Sequence, residues 1–296
     1  MTRIGTGYNI LLASQYMAQN RLAYARALEP LSSGKKINHL HDDPAHLSEY
    51  FQSTSKLSRI EQYTTNISTA ETRINITDST LSEINELNNE AYELALQGND
   101  QTLTADERIA ITDRLSEIKE DITSLCNTKF GDSYIFAGYK SSTIPFSGDP
   151  VAFAGDSNQI MMKVSDTKEV QTTIDADITF TGSGGGVDVF ATIDSLIIAI
   201  QANDATTIGN NITDLQTSQT QISNARAVLG NASKSLDTAT NILGNLSIQI
   251  SERIAALSDV DIASATTNLS FCEFTLQSAL AVASRVMEIQ LQSFFS

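Results

Sequence analysis

The side chains best suited to chemistry crowd into one stretch, INHLHDDPAH. There His39, His41 and His46, the 3 histidines of a 296-residue chain, surround Asp42 and Asp43. Neutral imidazole and carboxylate are the ordinary donors to zinc, and an H-x-H spacing places two rings on one side of an extended segment. A catalytic zinc takes three protein ligands and keeps one position open. The run H-x-H-x-D-H would supply them, but Pro44 stands where the last histidine belongs. A site here would rest on His46 and carboxylates of the same short loop, so no metal site, cofactor site or catalytic residue is assigned. Cys126 and Cys272 lie far apart on amphipathic patterns and read as buried or half-buried thiols, not as a metal knuckle or a redox pair.

The same stretch has a plainer meaning as a piece of backbone. Asp43 followed by Pro44 is a helix-start signal, the acid accepting from free N–H groups and the proline occupying the first turn. The histidines then lie on a corner between two helices, and the question becomes what those helices do.

Composition sets the bounds. Lys+Arg 19 against Asp+Glu 35 gives a formal charge of −16, which argues against nucleic acid as a partner. With 41% hydrophobic residues, 4 prolines and no tryptophan, Leu, Ile and Ala must build the core of a helix-rich chain. No apolar run approaches the ~18 residues of a membrane span, and the ILLA run near the start is too short for a secretory signal. Membrane insertion is therefore not expected. The chain is either cytoplasmic or leaves the cell by a route that needs no cleaved signal.

Periodicity predicts the elements. Ile208, Leu215, Ile222, Leu229, Leu236, Leu243, Ile250 and Leu257 recur every seven residues, with Ala225, Ala232, Ala239 and Leu246 as a thinner second row. One helix spanning them would be about 75 to 80 Å long. A second ladder, Ile60, Ile67, Ile74 and Leu81 with Tyr63, Ala70, Thr77, Ile84 and Ala91 beside it, weakens at Asn88 and predicts a helix over about 56–97, with Gly98 suited to its cap. A third stripe, Ile111, Leu115, Ile118, Ile122 and Leu125, follows Thr104 and Glu107, which make a capping box. The fold class expected is mainly α, an elongated antiparallel bundle or coiled coil of long helices. It carries a small β-rich insert over 131–186: Val170, Thr172, Ile174, Ala176, Ile178 and Phe180 alternate with polar residues as a half-buried strand does.

The ends carry further stripes. Ile10, Met17, Tyr24 and Leu31 are spaced by seven with Leu11, Ala18, Leu22 and Ala25 beside them, and Ile262, Leu269, Leu276, Leu280, Ala283, Met287 and Phe294 line the last helix. Each reads as an amphipathic helix lacking its own partner, and the first is apolar over more than one seam. The expectation is assembly through Leu11, Ala18, Leu22, Ala25, Leu269, Leu276, Leu280, Ala283, Met287 and Phe294. The alternative is that the two helices merely close the chain's own bundle. Five parts follow: 1–43, a terminal assembly helix and connecting segment; 44–130, bundle helices; 131–186, the insert; 187–258, returning bundle helices; 259–296, the C-terminal assembly helix.

These residues carry a resemblance. RALEPLSSGKKINHLHDDPA resembles the segment of the bacterial flagellin family in which a terminal helix runs through L-S-S-G-K-R-I-N to a D-D-P or D-D-A turn. Ser33, Gly34, Lys35, Asn38, Asp42, Asp43 and Pro44 fill that pattern here. SDVDIASATTNLS is similar to the family's D-x-A-x-A-x-x-x-L approach to its last helix. Within the family, Tyr134, Phe136, Gly138, Pro145 and Phe146 match the Y-x-F-x-G and P-F stretch of the hook–filament junction branch. The ending ALAVASRVMEIQLQSFFS is closer to that branch's tail than to filament flagellin's, although Arg285 replaces a lysine.

What the resemblance implies is a flagellin-like fold and a structural, non-enzymatic protein of the extracellular flagellum. It would be exported without a cleaved signal peptide through the flagellar type III export apparatus with its export chaperone. It would form a ring or helical oligomer with itself between the other hook–filament junction protein and flagellin. A short filament flagellin is the alternative, and another self-assembling helical protein exported by a type III route is a further one.

Overall fold

The computed structural model describes residues 3–39 and 41–295, with side chains at 8, 11–39, 41–285, 287 and 288. In chain order the helices are α1 (Arg3–Ser33), α2 (Pro44–Gly98), α3 (Ala105–Cys126), α4 (Val189–Ala202), α5 (Ala205–Ser258) and α6 (Ile262–Phe295). Between α3 and α4 lie β1 (Lys129–Phe130), β2 (Ser133–Tyr134), β3 (Phe146–Ser147), β4 (Ala152–Phe153), β5 (Met161–Lys163) and β6 (Glu169–Gln171), paired as three antiparallel hairpins, β1–β2, β3–β4 and β5–β6. The chain divides into two compact units, Met1–Arg59 with Leu246–Ser296, and Ile60–Asn245.

In the unit Ile60–Asn245 the sevenfold ladders are the core. Ile60, Ile67, Ile74 and Leu81 of α2 and Ile208, Leu215, Ile222, Leu229 and Leu236 of α5 are buried, each worth roughly 1.5–3 kcal/mol relative to exposure. The two helices run antiparallel, since Arg226 donates to Asp78 (2.8 Å) while Gln216 donates to Tyr92 (3.1 Å). Where the α2 seam weakens, Asn88 is buried and satisfied: its amide donates to Leu215 O (3.0 Å) and its Oδ1 accepts from Ser218 (3.0 Å). Such a polar layer in a seam fixes register. Ile111, Leu115, Ile118 and Ile122 bury the inner face of α3, whose start is the capping box Thr104–Glu107.

The insert is organised by aromatic rings, not by a sheet. Phe146 packs on Phe180 edge to face at 5.6 Å, and Phe136 on Phe180 at 5.5 Å. The half-buried strand expected from Val170 to Phe180 is corrected. Strand β6 stops at Gln171, and Asp177–Thr181 is a π-helical turn. The cause is Asp175, whose carboxylate accepts from the N–H groups of Asp177 and Ile178 and turns the chain. The turn leaves Ile178 51% exposed and buries Thr179, so the period of two breaks there, although Val170, Thr172, Ile174, Ala176 and Phe180 are buried as expected. Two further expectations are adjusted: α2 starts at Pro44, well before residue 56, and Leu246 of the α5 second row is exposed.

In the unit formed by the two ends, α1 and α6 lie against each other. Leu12, Ala13, Tyr16 and Asn20 line, with Thr275, Ala279, Val282 and Ala283, an open groove of about 520 Å³, and the pair is antiparallel because Lys35, just after α1, bridges Asp259, just before α6. The expectation that each terminal helix lacks a partner within the chain is thereby corrected. Both stripes are wide enough to serve one partner and still present a second face, and sequence spacing does not say which face turns inward.

Candidate assembly interface

The corner after α1 is built by the residues of the first quoted motif. Gly34 takes φ +72°, the left-handed cap that ends a helix, and its N–H donates to Pro30 O at 2.9 Å. Ser33 Oγ accepts from Lys35 N at 3.1 Å. The chain then crosses the segment leading into α6: Lys35 bridges Asp259, Lys36 N donates to Ser258 O, and Val260 N donates to Gly34 O at 3.1 Å. The motifs near the two termini thus meet as one antiparallel bridge, with Ile37 and Leu257 buried beside it.

The acids of the motif hold the rest of the corner. Asp42 Oδ2 accepts from His39 N (2.6 Å) and Asn38 N (2.8 Å), and these N–H groups hold its carboxyl below the usual range. Asn38 Nδ2 donates to Lys35 O at 2.9 Å. Asp43 caps α2 ahead of Pro44 and is pulled down to about 2 by hydrogen bonds from Lys36 (3.1 Å) and His46 (3.0 Å). Asp261 caps α6 in the same manner, accepting from Ser264 Oγ at 2.8 Å and Ala263 N at 3.0 Å.

The rings of His39 and His41 stack at 5.4 Å, but each histidine faces a different carboxylate. His39 faces Glu29 (2.8 Å), His41 faces Asp42 (3.6 Å), and His46 faces Asp43 (3.0 Å). Among the described residues no group of three or more His, Cys, Asp or Glu could hold a metal ion.

The proposed assembly residues divide by exposure. Leu11, Ala18, Leu22 and Ala25 of α1 and Leu280 and Met287 of α6 are exposed, Leu22 at 53%. Leu269 and Leu276 are half-buried, Ala283 is buried within the chain, and the Phe294 side chain lies outside the described residues. The largest exposed apolar groups of α6 were missed by the heptad reading: Phe271 is 68% exposed and Phe274 69%. They stand off the stripe at i and i+3, a spacing that puts two aromatics on one outward face and was legible as such. Tyr16, Leu28 and Val282 are exposed with them.

The second quoted motif lies in the other unit. Phe136 is buried, Tyr134 is half-buried under Lys129 Nζ at 4.6 Å from its ring centre, and Gly138 takes φ +64°. These residues hold the insert's hydrophobic centre.

Comparison with known proteins matches residues 4–141 to the bacterial flagellin N-terminal helical region and residues 212–295 to the bacterial flagellin C-terminal helical region. The flagellar hook-associated protein 3 of Escherichia coli is 24% identical over 255 residues, 79% of this chain and 80% of that protein. A flagellin of Listeria monocytogenes is 22% identical over 291 residues, 96% of this chain and 95% of its own. Among solved structures, hook-associated protein 3 of Legionella pneumophila superposes with a TM-score of 0.64 at 14% identity, covering 70% of this chain and 98% of that one. FlgL of Xanthomonas campestris gives 0.62 at 18%, covering 69% and 99%. At such identities the structures establish a shared fold. The two matched regions fall at the two ends in the family's order and together span well over half of the sequence, and the chain belongs to the bacterial flagellin family.

Proposed function

We propose that this chain is a structural protein of the hook–filament junction. It assembles with copies of itself through the outward faces of α1 and α6, as a ring or helical oligomer between another junction protein and flagellin. The observation that carries the reading is the pairing of α1 with α6 that still leaves Leu11, Leu22, Phe271 and Phe274 in solvent. Large apolar side chains left in solvent mark an interaction surface where they gather on one face, as Phe271 and Phe274 do at i and i+3. The hook-associated relatives, similar over about four-fifths of the sequence, supply the junction role. Export through the flagellar type III apparatus with a chaperone, and a place on the extracellular flagellum, belong to the same proposal, and the flagellar relatives support it.

The test substitutes the outward face and leaves the inner one intact. Leu22→Glu with Phe274→Glu should keep the helical circular dichroism of the full-length protein while abolishing oligomer formation, with sedimentation of the unsubstituted protein as the reference. Unchanged oligomers would refute the role of these faces. A second reading, a short filament flagellin, is favoured by the Listeria relative matched over nearly its whole length. Long filaments grown from the purified protein alone would support that reading, and growth only on a preformed junction partner would support the first.

A further inference from the structure

The insert leaves and rejoins the helices at two crossings, and a carboxamide grips the backbone at each. At the first, Asn127 just after α3 donates from Nδ2 to Phe146 O (2.8 Å) and accepts from Phe146 N (3.1 Å). At the second, Gln221 of α5 accepts from Val187 N (2.7 Å) and donates from Nε2 to Val187 O (3.2 Å) and Thr179 O (3.1 Å). A side-chain amide carries a donor and an acceptor together, so it can satisfy both backbone groups of one residue where no strand lies alongside. The crossings differ in what else holds them. The first is also tied by Ile135 N to Thr128 O (3.1 Å) and by the β1–β2 pairing. Along the second, TGSGGGV, the remaining bonds stay local: Gly185 N and Gly186 N donate to Gly182 O at 3.0 and 3.1 Å, and Ser183 reaches back to Asp177 at 2.7 Å. Either side of it the chain is anchored, with Thr179 and Phe180 before and Val189 and Phe190 after all buried.

We infer that residues 182–187 form a strap that can lift from α5, with Gln221 as its catch. With the catch closed, one helix side chain satisfies Val187 N, Val187 O and Thr179 O. With it open, those groups turn to water while Phe180 and Phe190 keep both ends in place. Glycine loses more conformational freedom on ordering than any other residue, and four of the six strap residues are glycine, so closure depends on the bonds that Gln221 makes. Gly186 is what lets the catch close, since a side chain added there would run into the Gln221 carboxamide. Of the two crossings, the second therefore opens first, and it sets the least stable segment of its unit.

Hydrogen exchange of the full-length protein tests the catch. Gln221→Ala should speed exchange of the Val187 amide and its strap neighbours about tenfold, the effect of taking the partner from a backbone group. Helical circular dichroism and the exchange of 127–147 should stay as they were. Gln221→Glu keeps an acceptor for Val187 N but sets a carboxylate against two carbonyl oxygens, and it should open the strap as well. Gly186→Ala alone should do the same by pushing the amide away. In the Gln221→Ala protein it should add nothing, because the atoms it would strike are gone. A strap equally protected with and without the Gln221 amide overturns the inference. So do additive effects of Gly186→Ala and Gln221→Ala, and so does exchange that rises along the whole unit and not in the strap.

Discussion

Gly34 and Gly138 show how two residues of the same type and similar φ carry different loads. A Cβ built on Gly34 meets nothing within 4 Å, so Gly34→Ala costs only left-handed backbone strain, about 1 kcal/mol. On Gly138 the same atom would lie 2.3 Å from the Asp156 carbonyl oxygen, and that backbone must move. Gly138→Ala should therefore cost clearly more than Gly34→Ala, roughly 2–4 kcal/mol. Equilibrium urea unfolding of the two variants compares them, and equal midpoint shifts would contradict the packing argument. Both glycines were visible in the sequence as motif positions. That one needs only a conformation and the other a conformation and a void was not, because Asp156 reaches Gly138 through tertiary structure.

At the scale of elements, the helix starts share one device and respond to pH together. Asp43, Glu107 and Asp261 each accept from N–H groups or hydroxyls at the start of a helix, and each is held below its ordinary range. A lowered carboxyl contributes stability that is present above its unfolded value and lost as pH falls through the folded one. Helical dichroism should therefore begin to decline as pH drops below about 4 and keep declining toward about 2, where Asp43 titrates. Thr104→Ala should cost about 1 kcal/mol at neutral pH and less in acid, where its partner Glu107 is protonated. Asp188 at the start of α4 is the counter-case. Burial raises its carboxyl, so ionisation works against the fold, and its contribution worsens as pH rises through the raised value. Asp188→Asn keeps a capping oxygen and should be neutral to slightly stabilising at pH 7, read by thermal melting. The caps at Thr104 and Asp43 and the sevenfold ladders were legible because each is a local pattern that packing repeats turn after turn. The insert was not: Asp175 bends the chain into a π-helical turn, and no period announces that. The α1–α6 pairing stood in the sequence only as one of two readings, since choosing among several apolar faces requires the neighbour's shape.

For the whole molecule the decisive quantity is where the charge lies. Acidic and basic side chains are equal in number in the unit Met1–Arg59 with Leu246–Ser296, so the formal charge of −16 falls entirely on Ile60–Asn245. The unit holding α1 and α6 can meet its own kind through apolar faces with little net repulsion. Each added copy nevertheless brings a strongly acidic unit into the company of others, and like charges oppose assembly over a Debye length, about 10 Å at 0.1 M salt and 30 Å at 0.01 M. Raising sodium chloride from about 0.02 to 0.2 M, a range of strong screening, should lower the protein concentration at which oligomers appear. Over the same range the melting of the α1–α6 pair in the monomer should hardly move, because burial and not charge holds it. Replacing several exposed acids of Ile60–Asn245 by their amides, for example Glu83→Gln, Glu86→Gln and Glu93→Gln together, should reproduce the effect of salt at low ionic strength and blunt any further response to it. Sedimentation at graded concentrations measures both. A threshold that rises with salt, or that the amide variants leave where it was, would mean that the acidic unit does not govern association and that the oligomer is limited by the geometry of the terminal faces alone.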